Sequence, residues 1–250
     1  VVAPPLNQHP MLSSAFRTLA PGRWLNDEAL MYYLAILHDR DSSRAASSPS
    51  HAPGWILHFR FLSKLMNPSE GPESVRRWLR RIPGGALSRS SLLFPLNMNN
   101  AHWSLAVAFP QRRVIRYFDS LGNSGERVLA ALHSLLQSEA DDHRPWELIQ
   151  GGLRMSPQQS NGNDCGVHVL LAAELLLLNY EVRYAEADIQ AMRLSAAADI
   201  LLQNAPPVVN FLTPQSPPIP GSQCSLSNAE ASPDALPLDW SAPAIGDPPA

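Results

Sequence analysis

The stretch Pro157-Gln158-Gln159-Ser160-Asn161-Gly162-Asn163-Asp164-Cys165-Gly166 constrains this chain more than any other. Up to Cys165 it is a polar run of turn-forming residues. Directly behind it comes Val167 to Leu178, interrupted only by His168 and Glu174 and rich in good helix formers. The pattern predicts a buried helix that opens at Cys165, with Asn163 or Asp164 as its cap. The free amides and positive dipole end of such a helix favour a thiolate. That setting can lower a cysteine pKa from about 8.5 to roughly 3.5–7.5. A cysteine there can equally be a small apolar side chain at a helix start, so the decision rests on what lies upstream.

A cysteine nucleophile needs a base, and the base needs an orienting group. Three strand-like runs supply candidates: 91–96, 102–109 and 113–118, joined by short turns that suit an antiparallel arrangement. His102 opens the second run and Asp119 closes the third. Neighbouring strands lie about 4.8 Å apart, so the two side chains can be brought within hydrogen-bonding reach. The expected geometry has the carboxylate on Nδ1–H, leaving Nε2 for the sulfur. An oxyanion needs donors as well. The amide of Gln158 or Gln159 can be one and the Cys165 backbone N–H the other. Each residue alone has an ordinary structural explanation; the combination is far more specific.

Elsewhere the pattern places helices and loops. Asn26 caps a helix whose first turn holds Asp27 and Glu28, with Leu30, Met31, Tyr33, Leu34 and Leu37 on one face. Trp24 stands just before that cap, where a staple onto the helix is the ordinary role. Residues 39–54, rich in Ser, Ala, Arg and Pro, read as a loop insertion. Helices are expected over 73–81, 126–136 and 185–202, and an edge strand over 146–149. The basic cluster Arg76, Arg77, Arg80 and Arg81 reads as a solvated face. Residues 205–250 hold 11 of the 24 prolines, four of the 22 acids and no Lys or Arg. They read as a disordered acidic tail behind a catalytic domain over 1–204.

Composition narrows the class further. A net charge of −3 provides no nucleic-acid footprint. Two cysteines, Cys165 and Cys224, support neither a disulfide framework nor a cysteine-rich zinc site. The eight histidines lack metal-binding spacing, so no cofactor is expected. An unpaired reactive thiol suits a reducing compartment, the nucleus or cytoplasm, and no membrane segment is expected.

Four blocks, Trp24-Leu25-Asn26-Asp27-Glu28, His102-Trp103-Ser104-Leu105, Asp119-Ser120-Leu121-Gly122 and Pro157 to Gly166, occur in the order that resembles the Ulp1/SENP family of SUMO-specific cysteine proteases. The resemblance covers roughly residues 15–203. The order His, Asp, Cys sets it apart from papain, in which cysteine comes first. The resemblance implies an α+β fold: a central mixed β-sheet carries His and Asp, helices flank it, and the catalytic Cys sits at a helix N-terminus. It also implies His102 as general base, Asp119 as its partner, Cys165 as nucleophile and Gln159 as oxyanion donor. Trp24 and Trp103 would cover the glycine pair of the substrate. The implied partner is SUMO, or a related ubiquitin-like modifier, and its lysine conjugates, acted on by a monomer. A NEDD8- or ubiquitin-directed protease of the same fold, a non-catalytic binder of ubiquitin-like proteins and an acyltransferase of the clan are the alternatives. The short stretch before Trp24 departs from the family pattern and leaves the choice of modifier open.

Overall fold

A computed structural model describes residues 11–48, 50–140, 142–150 and 156–202. In chain order these form α1 (Ser13–Phe16), a 3₁₀ turn at Arg17–Leu19, α2 (Asp27–Ser47), β1 (Trp55–Ile56), α3 (Arg60–Leu65), α4 (Gly71–Arg80), a 3₁₀ turn at Ala86–Ser88 and β2 (Leu92–Met98). Then follow β3 (His102–Phe109), β4 (Val114–Phe118), α5 (Glu126–Glu139), β5 (Glu147–Ile149), α6 (Cys165–Leu177) and α7 (Glu186–Leu202). The expected acidic tail lies outside the described residues. Among the described residues no helix is long and apolar enough to cross a membrane.

The five strands form one mixed sheet in sequential order. β2, β3 and β4 are antiparallel, while the short edges β1 and β5 run parallel to their neighbours. Asn99 and Asn100 turn the chain from β2 into β3 at φ of 54° and 56°. Asparagine tolerates this left-handed region better than most residues. β3 is buried along its whole length. Trp103, Leu105, Val107 and Phe109 enter the core shared with α2, α6 and α7. Ala106 and Ala108 enter the opposite core, against α3, α4 and α5. Because both faces are covered, the strand shows only weak polar–apolar alternation in the sequence. The fold is α+β, with the sheet between two helical layers.

Residues 39–47, read from the sequence as loop, continue α2 for more than two turns; only 48–54 remains a connection. The reason is polar. Buried Asp41 accepts from Arg44 Nη2 at 2.7 Å, binds His51 Nε2 at 2.7 Å and accepts from Gly54 N–H at 2.8 Å. Arg44 reaches on to the carbonyl of Leu177 at the end of α6 (3.0 Å). Such a pin leaves no hydrophobic periodicity to read.

All 13 residues of α6 are buried. Each buried leucine contributes about 1.5–3 kcal/mol, more than the roughly 1 kcal/mol of a helix cap. Packing therefore sets where this helix starts. Gly166 is part of that fit: a Cβ there would lie 2.9 Å from Leu25 Cβ and 3.3 Å from Trp103 Cδ1. Gly166→Ala gains up to about 1 kcal/mol of helix propensity but overpacks this contact, which typically costs 1–3 kcal/mol. The expected result is a lower melting temperature by calorimetry; an unchanged or higher value would show that α6 and the Leu25 segment can separate freely.

Candidate active site

The chain reversals at one end of the sheet collect the residues singled out in the sequence. His102 begins β3, and Asp119 follows the last residue of β4. Asp119 is buried and takes four sets of donors: His102 Nε2 (2.9 Å), the Leu121 N–H (2.8 Å), Tyr117 Oη (3.2 Å) and Asn123 Nδ2 (3.3 Å). Burial opposes its charge, but the bonds from His102 and the Leu121 amide prevail and hold its carboxyl below the usual range. Cys165 heads α6 with 4% of its surface exposed, and the His102 imidazole lies beside it.

The imidazole is turned the opposite way from the sequence-based expectation. Nε2 faces Asp119, so Nδ1 is the nitrogen left for the sulfur. The register explains this. Leu105 pairs with Phe118, so continuing the ladder sets Asp119 opposite Ser104 and places His102 on the diagonal. Diagonal neighbours are about 7–8 Å apart, and the distal nitrogen is the one that reaches. Burial works against the His102 cation, but the bond to Asp119 and the neighbouring Cys165 outweigh it and push the pKa up to about 9. His102 is therefore an imidazolium at neutral pH, a cation beside the sulfur.

A second histidine lies one turn from Cys165. His168 is buried and bonded through Nδ1 to Tyr184 Oη at 2.9 Å. Burial, with the charge of His102 adding to it, pushes its pKa down to about 4. It stays neutral, so it and His102 hold opposite charge states. In the sequence the one signal of His168 is the spacing of three from Cys165 on a helix, and its role was missed there.

The polar turn before α6 is tightly tied. The Gln159 N–H donates to Ser120 O (2.9 Å), Ser120 Oγ donates to Gln159 Oε1 (2.6 Å), and Gln159 Nε2 donates to Asn161 O. One Nε2 hydrogen of Gln159 remains. Gln158 Nε2 instead meets two carbonyls, Asp119 O at 3.2 Å and Ser156 O at 2.8 Å. Of the two amides, Gln159 therefore has the free donor. The Cys165 N–H, at the first helical position, has no acceptor within its own helix. Asp164 occupies the cap position, but its side chain makes no cap bond. Its carboxylate is drawn to Arg193 of α7, to Asn161 Nδ2 (2.7 Å) and to Asn163 Nδ2 (3.2 Å). Arg193 was also missed, although it falls among Ile189, Met192, Ala196 and Ile200 on the buried face of its helix.

The two tryptophans differ. Trp24 is 55% exposed; Trp103 is 5% exposed, edge-on to Phe59, with Nε1 donating to Leu25 O at 2.9 Å. Among the described residues no cluster of His, Cys, Asp and Glu is arranged to hold a metal ion.

If His102 owes its raised pKa to Asp119, Asp119→Asn should move the basic limb of the kcat/KM profile below about 9. It should also lower kcat by on the order of 10²-fold or more. The linked stability has a definite sign. The His102 contribution is full below 6.5 and is lost as pH rises through about 9. A basic limb that stays in place, together with kcat within twofold, would detach Asp119 from the site.

Comparison with known proteins places the chain in a family. Residues 23–206 match the Ulp1 protease family, C-terminal catalytic domain. Sentrin-specific protease 2 of Rattus norvegicus is 28% identical over 209 residues, 77% of this chain and 34% of that protein. Ubiquitin-like-specific protease 1 of Saccharomyces cerevisiae is 30% identical over 159 residues, 62% of this chain and 24% of that protein. The chain thus spans about a third or less of the length of these relatives. The solved C-terminal Ulp1 protease domain in complex with Smt3, the yeast ortholog of SUMO, superposes with a TM-score of 0.64 at 27% identity, covering 76% of this chain and 81% of that one.

Proposed function

The chain belongs to the Ulp1 protease family, and on that premise we propose that it is a cysteine isopeptidase that cleaves after the C-terminal glycine pair of a SUMO-type modifier. The observation that carries the reading is the His102 imidazole, bonded to Asp119 and set beside Cys165 at the head of a buried helix. The relatives' names and the Smt3 complex support SUMO as the modifier.

The Cys165 thiolate attacks the carbonyl carbon of the modifier's last glycine. The resulting oxyanion accepts hydrogen bonds from the remaining Gln159 Nε2 hydrogen and from the Cys165 N–H. The His102 imidazolium gives its proton to the departing lysine amine as the C–N bond breaks, leaving a thioester. Water then attacks the thioester and passes one proton to His102; expulsion of the thiolate re-forms the thiolate–imidazolium pair, and the glycine leaves as its carboxylic acid, which gives its proton to solvent. Asp119 keeps the ring oriented and stabilises its cation throughout. Trp24, which is exposed, covers the glycine tail. Trp103 contributes from beneath by fixing the Leu25 carbonyl.

C-terminal-electrophile probes made from SUMO, NEDD8 and ubiquitin test the assignment. The SUMO probe should form a covalent adduct with the parent and none with Cys165→Ser. A preferred adduct with NEDD8 or ubiquitin would move the substrate class, and an adduct surviving in Cys165→Ser would remove the nucleophile. Gln159→Ala should lose roughly 10²–10³ in kcat with KM little changed, while Gln158→Ala stays mild. The reverse order would transfer the oxyanion role to Gln158.

A further inference from the structure

Arg193 is 2% exposed, and its guanidinium is divided between two parts of the molecule. On one side Nη1 donates to the carbonyls of Thr18 (3.2 Å), Leu19 (3.4 Å) and Ala20 (3.2 Å), and Nη2 to that of Arg23 (2.7 Å). On the other side Nε donates to Asp164 Oδ1 at 2.9 Å, and Nη2 donates to Asp164 Oδ1 and to the Asn163 carbonyl (3.3 Å). Thr18 is itself linked to the cap of α2, its Oγ1 accepting from the Asn26 N–H at 3.5 Å. A planar fork of five donors can serve both groups at once.

The consequence concerns Trp24. Its backbone lies between two carbonyls held by buried side chains: Arg23 O by Arg193 and Leu25 O by Trp103. The indole is exposed, while the backbone before and after it is anchored. One of those anchors also grips Asp164, the residue directly before Cys165. We propose that Arg193 is a positioning residue that holds the backbone of Trp24 in register with the head of the nucleophile's helix. The inference rests on the reading of Trp24 as the residue that covers the substrate tail. Such placement matters because a shift of about 1 Å at a substrate-positioning group can lower turnover on the order of 10²-fold. The buried charge is accounted for by the Asp164 carboxylate, and the carbonyls take the remaining donors, so no part of the fork is left for catalysis itself.

Arg193→Lys keeps the charge beside Asp164 but cannot span both groups. Two rates separate positioning from general damage. Alkylation of Cys165 by chloroacetamide requires only the sulfur and His102. Cleavage of a SUMO C-terminal aminocoumarin amide requires the tail to be seated. In Arg193→Lys, alkylation should stay within about twofold of the parent while kcat/KM for cleavage falls about 10–10²-fold. Trp24→Ala should show a comparable loss, and the double variant should be no worse than Trp24→Ala alone within about threefold, because both changes remove one function. Multiplying losses in the double variant, an unchanged cleavage rate in Arg193→Lys, or equal loss of alkylation and cleavage would each overturn the inference. If Trp24→Ala alone cleaves normally, the reading of Trp24 falls and takes this inference with it; multiplying losses overturn only the inference. Should Arg193→Lys not fold, Arg193→Gln combined with Asp164→Asn unhooks the side chain from α6 and leaves no buried charge unpaired. Its cleavage loss is expected to be absorbed in the Trp24→Ala background in the same way, and multiplying losses there would overturn the inference.

Discussion

Burial of α6 between the sheet and the helices α2 and α7 is the constraint from which the site follows. The apolar length of that helix leaves one way to pack it, and its first residue is Cys165. The sulfur is thereby delivered to the end of the sheet at which β3 begins and β4 ends. The two antiparallel pairings then bring His102 and Asp119 to the same corner. No loop has to search for the nucleophile, because three regular elements meet there. A site built on such elements can be held more precisely than one built on loops.

Charge at this corner is distributed by burial and by partner choice. His102 and His168 both lie against the sulfur's surroundings, yet one is held cationic and the other neutral. The difference is the carboxylate. Asp119 is committed to His102 through a bonded and fully donated arrangement. His168 faces a tyrosine hydroxyl instead, and its desolvation outweighs the opposing charge of Asp164. The arrangement provides one proton carrier next to the sulfur rather than two competing ones.

Two buried polar hubs shape the frame around this chemistry. Asp41 ties the end of α2 to the 48–54 connection, while its partner Arg44 continues to the end of α6. Arg193 ties α7 to the segment before Trp24 and to the residue before Cys165. Removing one partner from such a buried set leaves an unpaired charge and is strongly destabilising. These contacts specify geometry that apolar packing alone would leave adjustable.

The sequence by itself determined the elements whose physics is local or periodic. The helix behind Cys165, the Asn26 cap, the three central strands and the turn residues were legible because each carries its signal within a few residues. The four motif blocks identified the family. The tertiary structure decided what depends on residues far apart in the chain. The last turns of α2 form because Asp41 meets His51 and Gly54, and the Asp164 side chain leaves its cap because Arg193, 29 residues away, competes for it. The imidazole turns Nε2 to Asp119 because strand register sets a diagonal, and Trp103 is packed beneath the site while Trp24 stays exposed. A hydrophobic pattern records which side of an element is buried. It does not record which polar groups that burial brings together, and those groups decide the geometry of this site.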